Sequence, residues 1–277
     1  MLCGTGSDVG KSVLFTALCR IMKQDGRSPA PFKAQNMAPY YALTPQGLRI
    51  ARAQGVQAEA SGLVASTDMN PLMLIPQGNC TSEVILNGES LGLRTAMQLY
   101  DPTGRQHLRE AIGAAYSRLA THYAPIIMEG AGSISELNLR EADLVNLPMA
   151  RYADADVILV ADIDRGGVFA SCYGSIALQR PEDRARIKGI IVNKFRGDIR
   201  LFEQGRKMLA DICGVPVLGV IPMFSDICIE EEDTLHGGGQ RNERLNDADF
   251  RQHQYDRLAA WVRPHIDMET IYKWIDE

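Results

Sequence analysis

The chain has 277 residues, 45% hydrophobic and 23% charged, with 29 Lys plus Arg against 34 Asp plus Glu and a formal charge of -5. This suits a globular protein with one large core or a core plus a small appendage. A mildly acidic chain without a basic block is not built for a nucleic-acid partner, and its longest apolar runs fall far short of the ~20 residues that span a membrane. No export signal precedes Gly4, and Cys3, Cys19, Cys80, Cys172, Cys213 and Cys228 form no CxxC or Cys/His cluster. They read as reduced, mostly buried thiols, and the expected compartment is the cytoplasm.

A short apolar start, Leu2-Cys3, opens into Gly4-Thr5-Gly6-Ser7-Asp8-Val9-Gly10-Lys11-Ser12. A helical stretch follows, with Val13, Leu14, Ala17, Leu18, Ile21 and Met22 on one stripe. The P-loop pattern is GxxxxGK[ST], and here the leading glycine sits one place further out. Small residues let backbone N–H groups curl around phosphate, and the helix that follows points its positive end at the anion. Lys11 is placed to reach the β- and γ-phosphates of ATP, and Ser12 to ligate Mg²⁺. Residues 4–12 are the expected nucleotide-binding segment.

Apolar runs follow at 30–33, 125–128, 157–161, 189–192 and 215–221, too short and uniformly apolar for surface helices. Helical patterns lie between several of them, around Leu108, Ile112 and Leu119 and around Phe202, Met208 and Leu209. The alternation predicts an α/β fold of P-loop type, a mainly parallel sheet with helices on both faces, as one domain over 1–235. Residues 43–100 fit this rhythm less well. A helix over 50–63, the run 70–76 and a strand over 83–86 are expected to build the substrate side of the site. The acidic run at 230–233 and the glycines at 237–239 introduce a linker over 236–251. A short C-terminal helical tail is expected over 252–277, with Tyr255, Leu258, Ala259 and Val262 on one face. Pro264 breaks it, and Met268, Ile271, Tyr272 and Ile275 form a second stripe.

The strand ends carry the remaining candidates. Lys33 closes the second strand, where its ammonium suits a phosphate or a carboxylate substrate. Glu129 opens Glu129-Gly130-Ala131-Gly132-Ser133, and a carboxylate at a strand's C-terminal end is well placed for Mg²⁺. Asp162 and Asp164 lead into Arg165-Gly166-Gly167, with Asp162 expected to touch Mg²⁺ through water or orient the P-loop and Arg165 to lie near phosphate. Asn193 is expected to read the adenine edge while the Lys194 stem covers the ring. Plainer readings compete: a solvated Lys33, a local ion pair at Asp162, a surface pair of Arg196 and Asp198.

Together these motifs resemble the synthetase domain of the adenosylcobyric acid synthase family, glutamine-dependent amidotransferases of the cobalamin pathway, and more distantly dethiobiotin synthetase. The resemblance is carried by residues 4–12, Pro31-Phe32-Lys33-Ala34-Gln35-Asn36-Met37, Arg52-Ala53-Gln54 and Asp68-Met69-Asn70-Pro71. Residues 129–133, 136–140, 143–146, 161–169 and 193–198 extend it. It implies ATP-dependent amidation of side-chain carboxylates of adenosylcobyrinic acid a,c-diamide, through acyl phosphates displaced by ammonia. It further implies that Asp143 supports the phosphorylated intermediate and that Gln35 and Asn36 face the corrinoid. Positioning and charge neutralisation by Lys11, Mg²⁺ and Lys33 suit such phosphoryl transfer.

The chain departs from the family at Pro39-Tyr40-Tyr41, Arg49, Ala51, Ile75 and Cys80, all in the expected substrate region. No cysteine lies in the family's Gly-x-Cys-x-Gly glutaminase turn, and residues 255–272 resemble the family's C-terminal tail. The nitrogen is therefore expected as ammonia from solution or from a separate glutaminase subunit. A ligase for another carboxylic acid and a catalytically impaired family member stand as alternatives, and a homodimer stays open.

Overall fold

The computed structural model describes every residue except 100, 225–226 and 230–242. The acidic run at 230–233 and the glycines at 237–239 lie outside the described residues. The first elements are β1 (Leu2–Gly4), α1 (Lys11–Gln24), β2 (Ala30–Phe32), β3 (Gln35–Met37), β4 (Tyr41–Leu43), β5 (Arg49–Ala51) and α2 (Arg52–Ser61). Next come β6 (Leu72–Gly78), β7 (Thr81–Leu86), β8 (Glu89–Thr95), α3 (Ala96–Leu99), α4 (Pro102–Ala120) and β9 (Ile126–Met128). The chain continues through α5 (Leu147–Tyr152), β10 (Val157–Asp162), α6 (Val168–Ala177), α7 (Pro181–Arg184) and β11 (Ile187–Phe195). It ends with α8 (Glu203–Cys213), β12 (Val217–Pro222), α9 (Ala248–Val262) and α10 (Met268–Asp276). These elements form two compact units.

The first unit comprises Met1–Leu14, Gly130–Ile227 and Asp256–Glu277. Its sheet is wholly parallel, in the order β1-β10-β11-β12. Every residue of β10 is buried, as expected for an apolar, β-branched run covered on both faces. Val168, Cys172 and Ile176 of α6 and Leu209 and Cys213 of α8 join Leu159, Ile190, Val192 and Val220 in one apolar cluster. The register sets Gly4 beside Val160 and Asp162 beside Asn193. Gly4, Asp162 and Asn193 thus share one edge of this sheet, where open α/β sheets bind ligands. The tail packs on this unit too: Trp261 stacks on Phe224 at 4.9 Å and donates from Nε1 to the Pro222 carbonyl at 3.1 Å. Asp267 N–H donates to the Leu218 carbonyl at 2.7 Å.

The second unit comprises Phe15–Glu129 and Cys228–Tyr255. Here β2 pairs in parallel with β9, while β3-β6-β7-β8 form a mixed sheet whose last three strands are an antiparallel meander. The helix expected over 50–63 begins at Arg52, because Arg49–Ala51 pairs with β4 instead. It stops at Ser61, where left-handed Gly62 caps it. Strand β8 is exposed at every residue, so no apolar alternation marks it in the sequence. At the tail, α9 begins at Ala248, and Arg251 grips Glu59 of α2 through paired bonds of 2.9 Å. Among the described residues no helix is long and apolar enough to cross a membrane.

Candidate functional site

In the first unit residues 5–10 form a tight loop between β1 and α1, with Gly4 ending the strand and Lys11 and Ser12 opening the helix. Lys11 is buried, and its Nζ donates to the carbonyls of Gly6 at 3.1 Å and Gly132 at 3.0 Å. The ammonium is thus held inside the loop rather than in solvent. Gly4 explains the shifted leading glycine. A Cβ there would lie 2.7 Å from Lys11 Nζ and 2.9 Å from the backbone oxygens of Gly6 and Gly132. Gly10 has φ +86°, and a Cβ on it would meet Asn193 Nδ2 at 2.2 Å.

The sheet edge braces this loop. Asn193 Nδ2 donates to the Val9 carbonyl at 2.8 Å. Lys194, itself at φ +60°, donates to the Asp8 carbonyl and pairs with Asp162 at 3.1 Å. Exposed Arg165 bridges Asp8 at 3.4 Å and Asp162 at 3.5 Å. Arg196 hydrogen-bonds Asp164 and holds its carboxyl below the usual range. Asn193 and Lys194 therefore support the loop's backbone, an arrangement that spacing alone does not reveal. Ser133 Oγ adds a bond to the Thr5 carbonyl at 2.9 Å. Asp143 is half-buried, and its Oδ1 accepts from Val145 N–H at 2.8 Å and Asn146 N–H at 3.0 Å, a local turn that leads into α5. Asn146 in turn clasps Ala131 by both amide atoms at 3.0 Å.

Among the described residues no three of His, Cys, Asp and Glu gather closely enough to hold a metal by themselves. Asp162 Oδ1 accepts from Asp164 N–H at 2.8 Å, while Lys194 and Arg165 occupy Oδ2. A hydroxyl at Ser12 and a carboxylate already so engaged fit a hard cation carried mainly by phosphate oxygens and water, the habit of Mg²⁺.

The second unit holds Lys33 and Glu129. Both are buried, and Lys33 Nζ pairs with Glu129 Oε1 at 3.2 Å. Gln57 Nε2 donates to the other carboxylate oxygen at 2.6 Å. A metal at Glu129 would compete with both partners. The same unit has a pocket of about 410 Å³ lined by Gln35, Met37, Leu72, Leu74, Cys80 and Arg105 among others. Gln35 thus faces an open pocket, whereas Asn36, one residue on, is buried on the other side of β3. The departures cluster in this unit: Arg49 lies over Tyr41 and pairs with Glu83 at 3.1 Å, Arg52 lies over Tyr40, and Ile75 is core.

The family model described as "CobQ/CobB/MinD/ParA nucleotide binding domain" matches residues 1–235. The chain belongs to that family. It is 66% identical over 235 residues to the cobyric acid synthase of Phocaeicola vulgatus, covering 85% of this chain and 47% of that protein. To the cobyric acid synthase of Bacteroides fragilis it is 64% identical over 235 residues, with 85% and 48% covered. To that of Klebsiella pneumoniae it is 50% identical over 268 residues, with 96% and 51% covered. The chain spans about half the length of the curated relatives it matches. As a member of this nucleotide-binding family it carries the loop, the lysine and the sheet edge in one unit. Gln54 within Arg52-Ala53-Gln54 stands out in the sequence only through that resemblance, and Gln57 carries no sequence signal.

Proposed function

We propose that the chain is the ATP-using part of a ligase that amidates side-chain carboxylates of a corrinoid acid. The observation that supports this reading best is the 66% identity to a cobyric acid synthase over 235 residues. In this reading ATP lies in the loop of residues 4–12, with the Lys11 ammonium and the first amides of α1 neutralising its β- and γ-phosphates. Mg²⁺, when bound through Ser12, would supply further charge neutralisation, and Asp162 would orient its water shell. A carboxylate oxygen of the acid attacks the γ-phosphorus and ADP leaves. Ammonia then attacks the acyl carbon, phosphate leaves, and the nitrogen loses a proton to give the amide. Within the first unit Asp143 and Arg165 are assigned to the acyl-phosphate step; within the second, Lys33 is assigned to charge balance and the 410 Å³ pocket to binding the acid.

A second reading, a ligase for a different acid, is favoured by the clustered departures around β4, β5 and β6. The test is phosphate release from ATP and Mg²⁺ with ammonium, with and without corrinoid acid. Lys11→Ala should abolish acid-dependent release and weaken ATP binding in a protein that still folds and melts cooperatively. Equal turnover in that variant removes the assignment. Release stimulated by another acid but not by a corrinoid acid selects the second reading.

A further inference from the structure

Lys33, Asn36, Gln54, Gln57 and Glu129 are each no more than 2% exposed, five polar side chains in the second unit's core. Buried amides destabilise a core unless they are hydrogen-bonded. On α2 the two glutamines are flanked by buried Ala53, Ala58 and Ala60, so apolar side chains would suit the same face. Spaced three apart, Gln54 and Gln57 lie one above the other. Their bonds run in one direction. A carboxylate only accepts, so Gln57 turns its NH₂ to Glu129 Oε2 at 2.6 Å. Gln57 Oε1 is then left to accept from Gln54 Nε2 at 3.3 Å. Gln54 Oε1 in turn accepts from Asn36 Nδ2 at 2.7 Å. The chain ends at Asn36 Oδ1, buried and without a donor among the described residues. One carboxylate therefore dictates the orientation of three amides.

We propose that Gln57, Gln54 and Asn36 form a directional relay that fixes the Glu129 carboxylate, and through it the Lys33 ammonium, as positioning residues for the activation of the acid. The catalytic part of this rests on the ligase reading; the relay does not. Glu129→Gln supplies a donor where the carboxylate had none, so the direction is no longer forced. Side-chain amide NMR of that variant should show shifted resonances for Gln57, Gln54 and also Asn36, which does not touch residue 129. A shift confined to Gln57 overturns the relay. If Glu129→Gln does not fold, Asn36→Leu reads the relay from its other end, and an unmoved Gln57 amide overturns it equally. In the turnover assay Gln57→Met should lower kcat at least about tenfold, with ATP affinity within about twofold of the parent. The Gln54→Met/Gln57→Met double variant should be no worse than Gln57→Met alone, since both act through one contact. An unchanged kcat in Gln57→Met overturns the positioning role. If the parent shows no acid-dependent turnover, the ligase reading falls while the NMR arm still decides the relay.

Discussion

Glu59 sits partly buried on α2, where burial alone pushes its carboxyl up, yet bonds from Arg251 and Tyr255 outweigh that and hold it below its ordinary 4.5. A carboxyl lowered by folding contributes stability above its unfolded value, and that stability is lost as pH falls through 4.5 and on to the folded value. Arg251→Ala should therefore destabilise the protein at pH 7 by about 1.5–3 kcal/mol, the range for bonds to charged groups, and so lower the melting temperature. It should also flatten the fall in stability below pH 4.5. Parallel acid-melting curves for parent and variant would show that this clamp contributes nothing. Side-chain burial also sorts the thiols. Burial pushes Cys3, Cys19 and Cys172 up to about 12, so they remain thiols at neutral pH, whereas Cys80 is exposed in the second unit's pocket. Mild alkylation should label Cys80 first, and corrinoid acid should slow it, read by peptide mass spectrometry. Labelling that is indifferent to the acid argues against that pocket as its site.

The loop between β1 and α1 shows how an element can satisfy a motif's physics while breaking its spelling. Thr5 stands where the P-loop pattern asks for glycine, and Gly4 does the work because backbone oxygens and the Lys11 ammonium leave no room for a Cβ. At Gly6 the nearest atom to an added Cβ is 3.8 Å away. Gly4→Ala should thus cost about 1–3 kcal/mol of stability through overpacking and weaken ATP binding at least about tenfold, roughly 1.4 kcal/mol. Gly6→Ala should change stability by less than about 0.5 kcal/mol. Thermal melts with calorimetric ATP titration separate the two, and a Gly4→Ala variant that matches the parent would mean that the loop opens freely.

Across the whole chain the tail is part of the folded protein rather than an appendage. Tyr255, Leu258, Ala259 and Val262 of α9 are all buried, and so are Met268 and Ile271 beyond it, with Tyr272 and Ile275 partly covered. Burying a large apolar side chain contributes about 1.5–3 kcal/mol, so five such residues approach the ~5–15 kcal/mol that keeps a protein folded. Residues 1–247 expressed alone should be insoluble or melt many degrees lower. A soluble fragment with the parent's melting temperature would make the tail dispensable.

Local patterning specified much of this protein. Uniform apolar runs marked β10, β11 and β12, because a strand covered on both faces needs no polar alternation. The glycine loop with Lys11 and Ser12 was legible as a tight strand-to-helix loop, since those residue types suit a backbone that wraps phosphate. The tail's stripes were legible for the same reason, a buried face repeating at helical spacing. Long-range pairing decided the rest. Exposed β8 has no buried face to leave a pattern, and Arg49–Ala51 became a strand only because β4 lies beside it. Asn193 stood out as a strand-end amide, but that its Nδ2 holds the Val9 carbonyl, a partner 184 residues away, was not legible. Gln57 looked like any helix residue until Glu129, 72 positions on, supplied its acceptor. A hydrogen bond needs its partner within about 3 Å in space, and only the tertiary fold decides which distant residue that will be.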